Sequence, residues 1–195
     1  MQGSFPVLTY LNLAIPLSDS DSSVVILPGG FSGGSVSSLQ DISLSRISFP
    51  ALPSLLSASD LVHLNWHLDN GFPLEAMVTG LAAATRLTGL SIVYHLLAPL
   101  PHQRFVTPSP PTRAVLPALT QFRFEGDYNY LEDLVAQLDC PRLKTIIVLY
   151  FDDAMFFNQV IDVYMTQLIQ FVERVGDLKL ARVCRTRSLI LITLP

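Results

Sequence analysis

The sequence predicts an α/β chain built from repeated strand–helix units. Three observations carry this: a recurring leucine-centred motif, helical stripes between its copies, and a composition that demands a large core. The motif, Leu-x-x-apolar-x-apolar, occurs six times, at Leu8/Leu11/Leu13, Leu39/Ile42/Leu44, Leu61/Leu64/Trp66, Leu87/Leu90/Ile92, Leu119/Phe122/Phe124 and Leu143/Ile146/Val148. Its leading leucines lie 31, 22, 26, 32 and 24 residues apart, a mean of 27. Repeats of about 20–29 residues in this pattern are the signature of leucine-rich repeats, in which each unit contributes a short strand and returns through a helix or turn. The predicted architecture is a solenoid of six to seven irregular units, with a parallel sheet on its concave side.

The return segments fit this reading. Pro73 suits a first helical turn, and Leu74, Met77, Val78 and Leu81 follow at i, i+3, i+4 and i+7. Leu131, Leu134, Val135 and Leu138 repeat that stripe, and a longer one runs through Val160, Ile161, Tyr164, Leu168, Phe171, Val172 and Val175. A last strand is expected at Leu189–Leu194. The two long spacings coincide with segments expected to be loop excursions, 16–38 and 99–117. The first holds eight Ser and four Gly, the second six Pro. The whole chain, 1–195, reads as one degenerate repeat domain. Alternating strands and helices would also suit a doubly wound α/β sheet.

Of the 195 residues, 50% are hydrophobic and only 14% are charged, with a net charge of −4 and a mean hydropathy of +0.43. A disordered chain shows the opposite balance. Membrane crossing needs about 18 consecutive apolar residues, and no such run exists. The start, Met1-Gln2-Gly3-Ser4, lacks the positive flank of a secretory signal, so a cytoplasmic or nuclear location is expected. Mild acidity argues against nucleic-acid binding, Arg182, Arg185 and Arg187 being the one dense basic cluster. Cys140 and Cys184 form neither a disulfide framework nor a metal-ligand spacing.

Taken together, Phe49–Leu64 (FPALPSLLSASDLVHL), Pro73–Leu81 (PLEAMVTGL), Pro111–Thr120 (PTRAVLPALT) and Tyr130–Ala136 (YLEDLVA) resemble the leucine-rich-repeat portion of fungal, basidiomycete-type F-box-like proteins, over roughly Leu39–Val175. The resemblance implies a part that selects the substrate of a cullin-based ubiquitin ligase. In such proteins an N-terminal F-box docks a Skp-type adaptor. This chain opens directly on a repeat at Phe5–Leu8, so that adaptor is expected as a partner only if an F-box lies upstream. The low charge and the uncapped first repeat read as those of a fragment. The Asn that many such repeats carry at the ninth position is replaced by Pro16, Ile47, Asp69, His95, Asp127 and Phe151, so the turns must satisfy their hydrogen bonds differently.

No catalytic, cofactor or metal site is expected, and the chain reads as a non-enzyme. Gly30-Phe31-Ser32-Gly33-Gly34 matches G-x-S-x-G, but no helical pattern follows it and the last histidine is His102. A nucleophile elbow needs a strand-to-helix turn and a later histidine, so a Gly/Ser loop is the better reading. His63 and His67 share a strand face without a third ligand in view. Asp152 and Asp153 read as a cap or solvated turn, and Tyr128 and Tyr130 as packing. If the motif residues point inward, the outward row is Tyr10, Asn12, Asp41, Ser43, His63, Asn65, His67, Gly89, Ser91, Gln121, Arg123, Glu125, Thr145 and Ile147. The sheet side of a repeat array is its usual binding surface. This polar row is therefore the expected contact face for a protein partner of unknown identity.

Overall fold

A computed structural model of the chain describes residues 8–14, 38–45, 60–69, 74–95, 113–151, 166–175, 180–185 and 188–192. Each of the six motif copies forms a strand that pairs with the next. The strands are β1 (Tyr10–Ala14), β2 (Asp41–Ser45), β3 (His63–Asp69), β4 (Gly89–His95), β6 (Gln121–Asp127) and β8 (Thr145–Phe151). The sheet continues through β9 (Leu180–Arg185) and β10 (Ser188–Ile192) in the order β1-β2-β3-β4-β6-β8-β9-β10. All pairings are parallel except β9 with β10, which run antiparallel. Strand order follows chain order, with none of the reversal that marks the switch point of a doubly wound sheet.

Register explains why the motif is spaced as it is. Leu11, Ile42, Leu64, Leu90, Phe122 and Ile146 are mutual partners across six strands. Leu13, Leu44, Trp66, Ile92, Phe124 and Val148 form a second such row. Because side chains alternate across a strand, both rows enter one core. The same carbonyl position sets the register at every step. Thr9 O accepts from the N–H groups of Gln40 and Asp41, Gln40 O from Val62 and His63, and Val62 O from Thr88 and Gly89. Thr88 O accepts from Thr120 and Gln121, and Thr120 O from Lys144 and Thr145. The Thr88 and Thr120 hydroxyls donate along the same line, to Val62 O and Thr88 O at 3.2 and 3.1 Å.

Three helices, α1 (Leu74–Ala83), α2 (Tyr128–Ala136) and α3 (Thr166–Arg174), close the core from one side. Met77, Val78 and Leu81 of α1, Leu131, Leu134 and Val135 of α2, and Leu168 and Phe171 of α3 are buried against the strand rows. Phe171 meets Phe122 edge-on, with ring centroids 6.4 Å apart. Tight turns lead into β4, β6 and β8, with Leu87, Leu119 and Leu143 donating to Ala84 O, Leu116 O and Cys140 O.

Helix α2 organises its neighbours. Asp127 caps it, Oδ1 accepting from the Tyr130 N–H at 2.9 Å. This is how one of the ninth positions meets a turn hydrogen bond without Asn. At the other end the Arg113 Nε and Arg174 Nη2 donate to Ala136 O and Val135 O, placing positive charge where helix carbonyls lack partners. Burial and the nearby Arg113 charge lower the Arg174 pKa. From the middle of α2, the Glu132 carboxylate accepts from the N–H groups of Gln167 and Leu168, at 2.8 and 2.9 Å, and so caps α3 from outside that helix. Burial raises the Glu132 pKa, and those two donors hold part of the rise back.

Several boundaries differ from the sequence expectation. The second excursion, expected over 99–117, is described from Arg113. Its end forms β5 (Ala114–Val115), which pairs in parallel with β7 (Leu138–Asp139) on the helical side. Ala114 and Leu116 are buried there, so this segment has apolar anchors that its proline content obscured. Leu138, expected to end a helical stripe, belongs to β7. The last strand is β10, ending at Ile192, and β9 holds Arg182 and Arg185 of the basic cluster. The helix expected from Val160 is described from Thr166. The excursion 16–38 lies outside the described residues except for Ser38, as do 99–112 of the second.

Gly126 has a φ of +154°, and a Cβ there would lie 2.5 Å from the Tyr94 Cβ and 3.0 Å from its carbonyl oxygen. The glycine lets Tyr94 sit against β6 and stack on Tyr130, ring centroids 5.0 Å apart, beside Phe124. Gly126→Ala should therefore cost about 2–3 kcal/mol, read as a lower urea midpoint at unchanged slope. Glu132→Ala should cost about 1 kcal/mol and speed amide hydrogen exchange at Gln167 and Leu168 before the rest of the core responds.

Candidate functional site

The strand residues that alternate with the core rows stand on the opposite face of the sheet. The register aligns them as Tyr10, Asp41, His63, Gly89, Gln121 and Thr145, then Asn12, Ser43, Asn65, Ser91, Arg123 and Ile147. His67 and Glu125 fall in a third row, each opposite Val93. The sequence-predicted positions are all exposed or half-buried, and adjacent strands bring their backbones side by side. Among the described residues no helix covers this face.

The rows are not uniform. Tyr10 is 55% exposed at the β1 edge. In the second row Asn12, Ser43, Asn65 and Ser91 place four uncharged polar side chains on four consecutive strands. On β6 the Arg123 Nη2 donates to Glu125 Oε2 at 3.3 Å. Val93, which alternation alone would expose, is 7% exposed and stands apart from the main core, so this face has a small apolar spot of its own between His67 and Glu125.

One constellation is set by contacts the sequence did not reveal. The His63 Nδ1 lies 2.7 Å from Asp41 Oδ1 on the neighbouring strand. A carboxylate only accepts, so Nδ1 carries a proton in this contact. On the far side the imidazole leans over Gly89, and a Cβ at that position would lie 2.8 Å from His63 Cδ2. The ring is thus tethered by Asp41 and seated on bare backbone, with its side chain still 61% exposed. The pairing was hidden because Asp41 and His63 are 22 residues apart and meet through strand register alone.

The remaining sequence candidates separate cleanly. Among the described residues no three His, Cys, Asp or Glu side chains gather as a metal site. Gly30–Gly34, Asp152 and Asp153 lie outside the described residues. Tyr130 packs against the core, and burial pushes its phenol pKa above the ordinary value, with Tyr94 adding to the rise. Cys140 is buried at the turn before β8, where burial pushes its thiol pKa up to about 12. No described helix is long and apolar enough to cross a membrane.

No known protein family, curated protein or solved structure matches the chain. The geometry of this surface is therefore the ground for its functional reading.

Because a buried thiol of raised pKa holds almost no thiolate at neutral pH, Cys140 should resist alkylation in the folded protein. In a Cys184→Ser background, iodoacetamide labelling at about pH 8 should follow global unfolding. Labelling at the rate of a free thiol would place Cys140 at the surface.

Proposed function

We propose that the chain is a leucine-rich-repeat solenoid whose sheet face binds a protein, serving as the substrate-recognition part of an F-box-like protein of a cullin-based ubiquitin ligase. The observation that supports binding is the pair of aligned rows on the face opposite the core, continuous over six strands. Five steps between strands at about 4.8 Å make that face roughly 24 Å wide. Such a width matches a macromolecular contact better than a small molecule, which is usually held in a deep, mostly apolar pocket.

The solenoid reading rests on the repeat of a strand entering at a shared carbonyl, with a helix on the same side following β3, β6 and β8. Each unit covers its neighbour's flank, the arrangement by which repeat arrays build a continuous core and present an extended binding surface. The ligase part rests on the resemblance of the repeat sequences to F-box-like proteins. A free-standing repeat scaffold without a ubiquitin link is the second reading, resting on the same sheet face without the resemblance.

Site-specific photo-crosslinking tests the binding surface in the organism that encodes the protein. A benzoylphenylalanine at Asn65, on the sheet face, should give discrete protein adducts, whereas one at Glu173, on exposed α3, should not. Equal labelling from both positions would remove the assignment of the face. Copurification of a Skp-type adaptor with the native protein supports the ligase reading; stoichiometric recovery of the sheet-face partner without it supports the scaffold.

A further inference from the structure

On the reading that the sheet face binds a protein, the second outward row names the part of the partner it holds. From β1 to β4 this row runs Asn12, Ser43, Asn65 and Ser91, each the register partner of the next. Past β4 it changes character, to Arg123 and then Ile147. The uncharged stretch is thus four strands wide. Asn12 and Asn65 are exposed, whereas Ser43 and Ser91 are half-buried, so the longer amides stand above the hydroxyls on alternate strands. None of the four makes a side-chain hydrogen bond to another described residue. In the adjoining row Asp41 and His63 are bonded to each other.

An Asn side chain carries an acceptor oxygen and an N–H donor pair, and a Ser hydroxyl both donates and accepts. An uncharged row with both kinds of group complements a neutral ligand with both kinds of group. A peptide main chain is that ligand, with a donor and an acceptor on every non-proline residue. A carboxylate would use the donors alone, and an ammonium the acceptors alone.

Spacing selects the conformation of that main chain. Neighbouring strands lie about 4.8 Å apart, which puts the two asparagines, on alternate strands, about 9.6 Å apart. A polyproline-II segment returns to the same orientation every third residue, at about 9.3 Å, and its main chain has no internal hydrogen bonds. A fully extended strand repeats instead at about 6.8 Å, which does not match the amides. The four-strand stretch, about 14 Å across, accommodates four to five residues of a polyproline-II segment. We infer that Asn12 and Asn65 hold the main chain of a polyproline-II segment of the partner protein, laid across β1 to β4 and bonded at positions i and i+3, with Ser43 between them. Contacts of this kind read conformation more than side-chain identity.

Peptide display on the full chain tests this. Random peptides of about twelve residues are selected at neutral pH, and binding of the winners is measured by fluorescence anisotropy. Winners should be rich in proline and show polyproline-II circular dichroism when free. Asn12→Ala and Asn65→Ala should each weaken binding about tenfold, with thermal melts followed by circular dichroism checking that every variant folds. An ester in place of a single main-chain amide of the peptide should cost about fivefold at two positions three residues apart, and the loss at one of them should vanish in Asn65→Ala. Winners that lose binding on Ser43→Arg but tolerate every ester, or respond to esters two residues apart, would overturn the main-chain inference and leave the sheet-face reading standing. Winners indifferent to Ser43→Arg and to both asparagine variants would overturn both. So would a selection that yields no peptide, with or without capture of an oligosaccharide on a glycan array.

Discussion

One backbone oxygen per unit holds the molecule in register. The carbonyls of Thr9, Gln40, Val62, Thr88 and Thr120 each accept two N–H groups from the start of the following strand. A slip of one residue at any of these points would turn every subsequent side chain to the other face of the sheet. The two core rows, the polar rows opposite them and the meeting of Asp41 with His63 all follow from that alignment. The hydroxyls of Thr88 and Thr120 reinforce it where the sheet is most regular. Position in the chain becomes position on the surface through this repeated contact.

The two edges of the described sheet show what a neighbouring strand supplies. Leu39, Leu61, Leu87, Leu119 and Leu143 are at most 1% exposed, whereas Leu8 at the same motif position is 37% exposed. Leu13 is half-buried, although its partners in the row are fully buried. Identical residues at identical motif positions thus contribute differently because burial comes from the strands on either side. At the other end the β9–β10 hairpin changes strand direction and closes the parallel series. The high apolar content serves this shared core, which takes two apolar rows from the strands and one stripe from each described helix.

Much of the fold was legible because its signal is periodic. Leu-x-x-apolar-x-apolar located all six strands, and the i, i+3, i+4 stripes located three helices, since burial of one face imposes those spacings directly. Short segments stabilised by a distant partner were not legible. Ala114–Val115 is a strand only because Leu138–Asp139 lies beside it, and proline-rich flanks made it read as loop. Glu132 gave no sign of capping a helix more than thirty residues away. Val93 stands where alternation places an outward residue and is nevertheless buried. In each case the decisive neighbour is remote in sequence, and local pattern carries no record of it.

The same division applies to the candidate surface. By itself the sequence determined which residues point away from the core, because a period of two leaves no choice once the apolar set is buried. Only the tertiary structure decided which of them meet. Parallel strands with long connections pair residues about twenty to thirty positions apart, and the register selects those pairs. That is why Asp41 holds His63, why the ring comes to rest on Gly89, and why Gln121 and Arg123 stand opposite Gly89 and Ser91. A glycine and a histidine 26 residues away had no visible relation as letters; as neighbours on adjacent strands they fix where the imidazole sits.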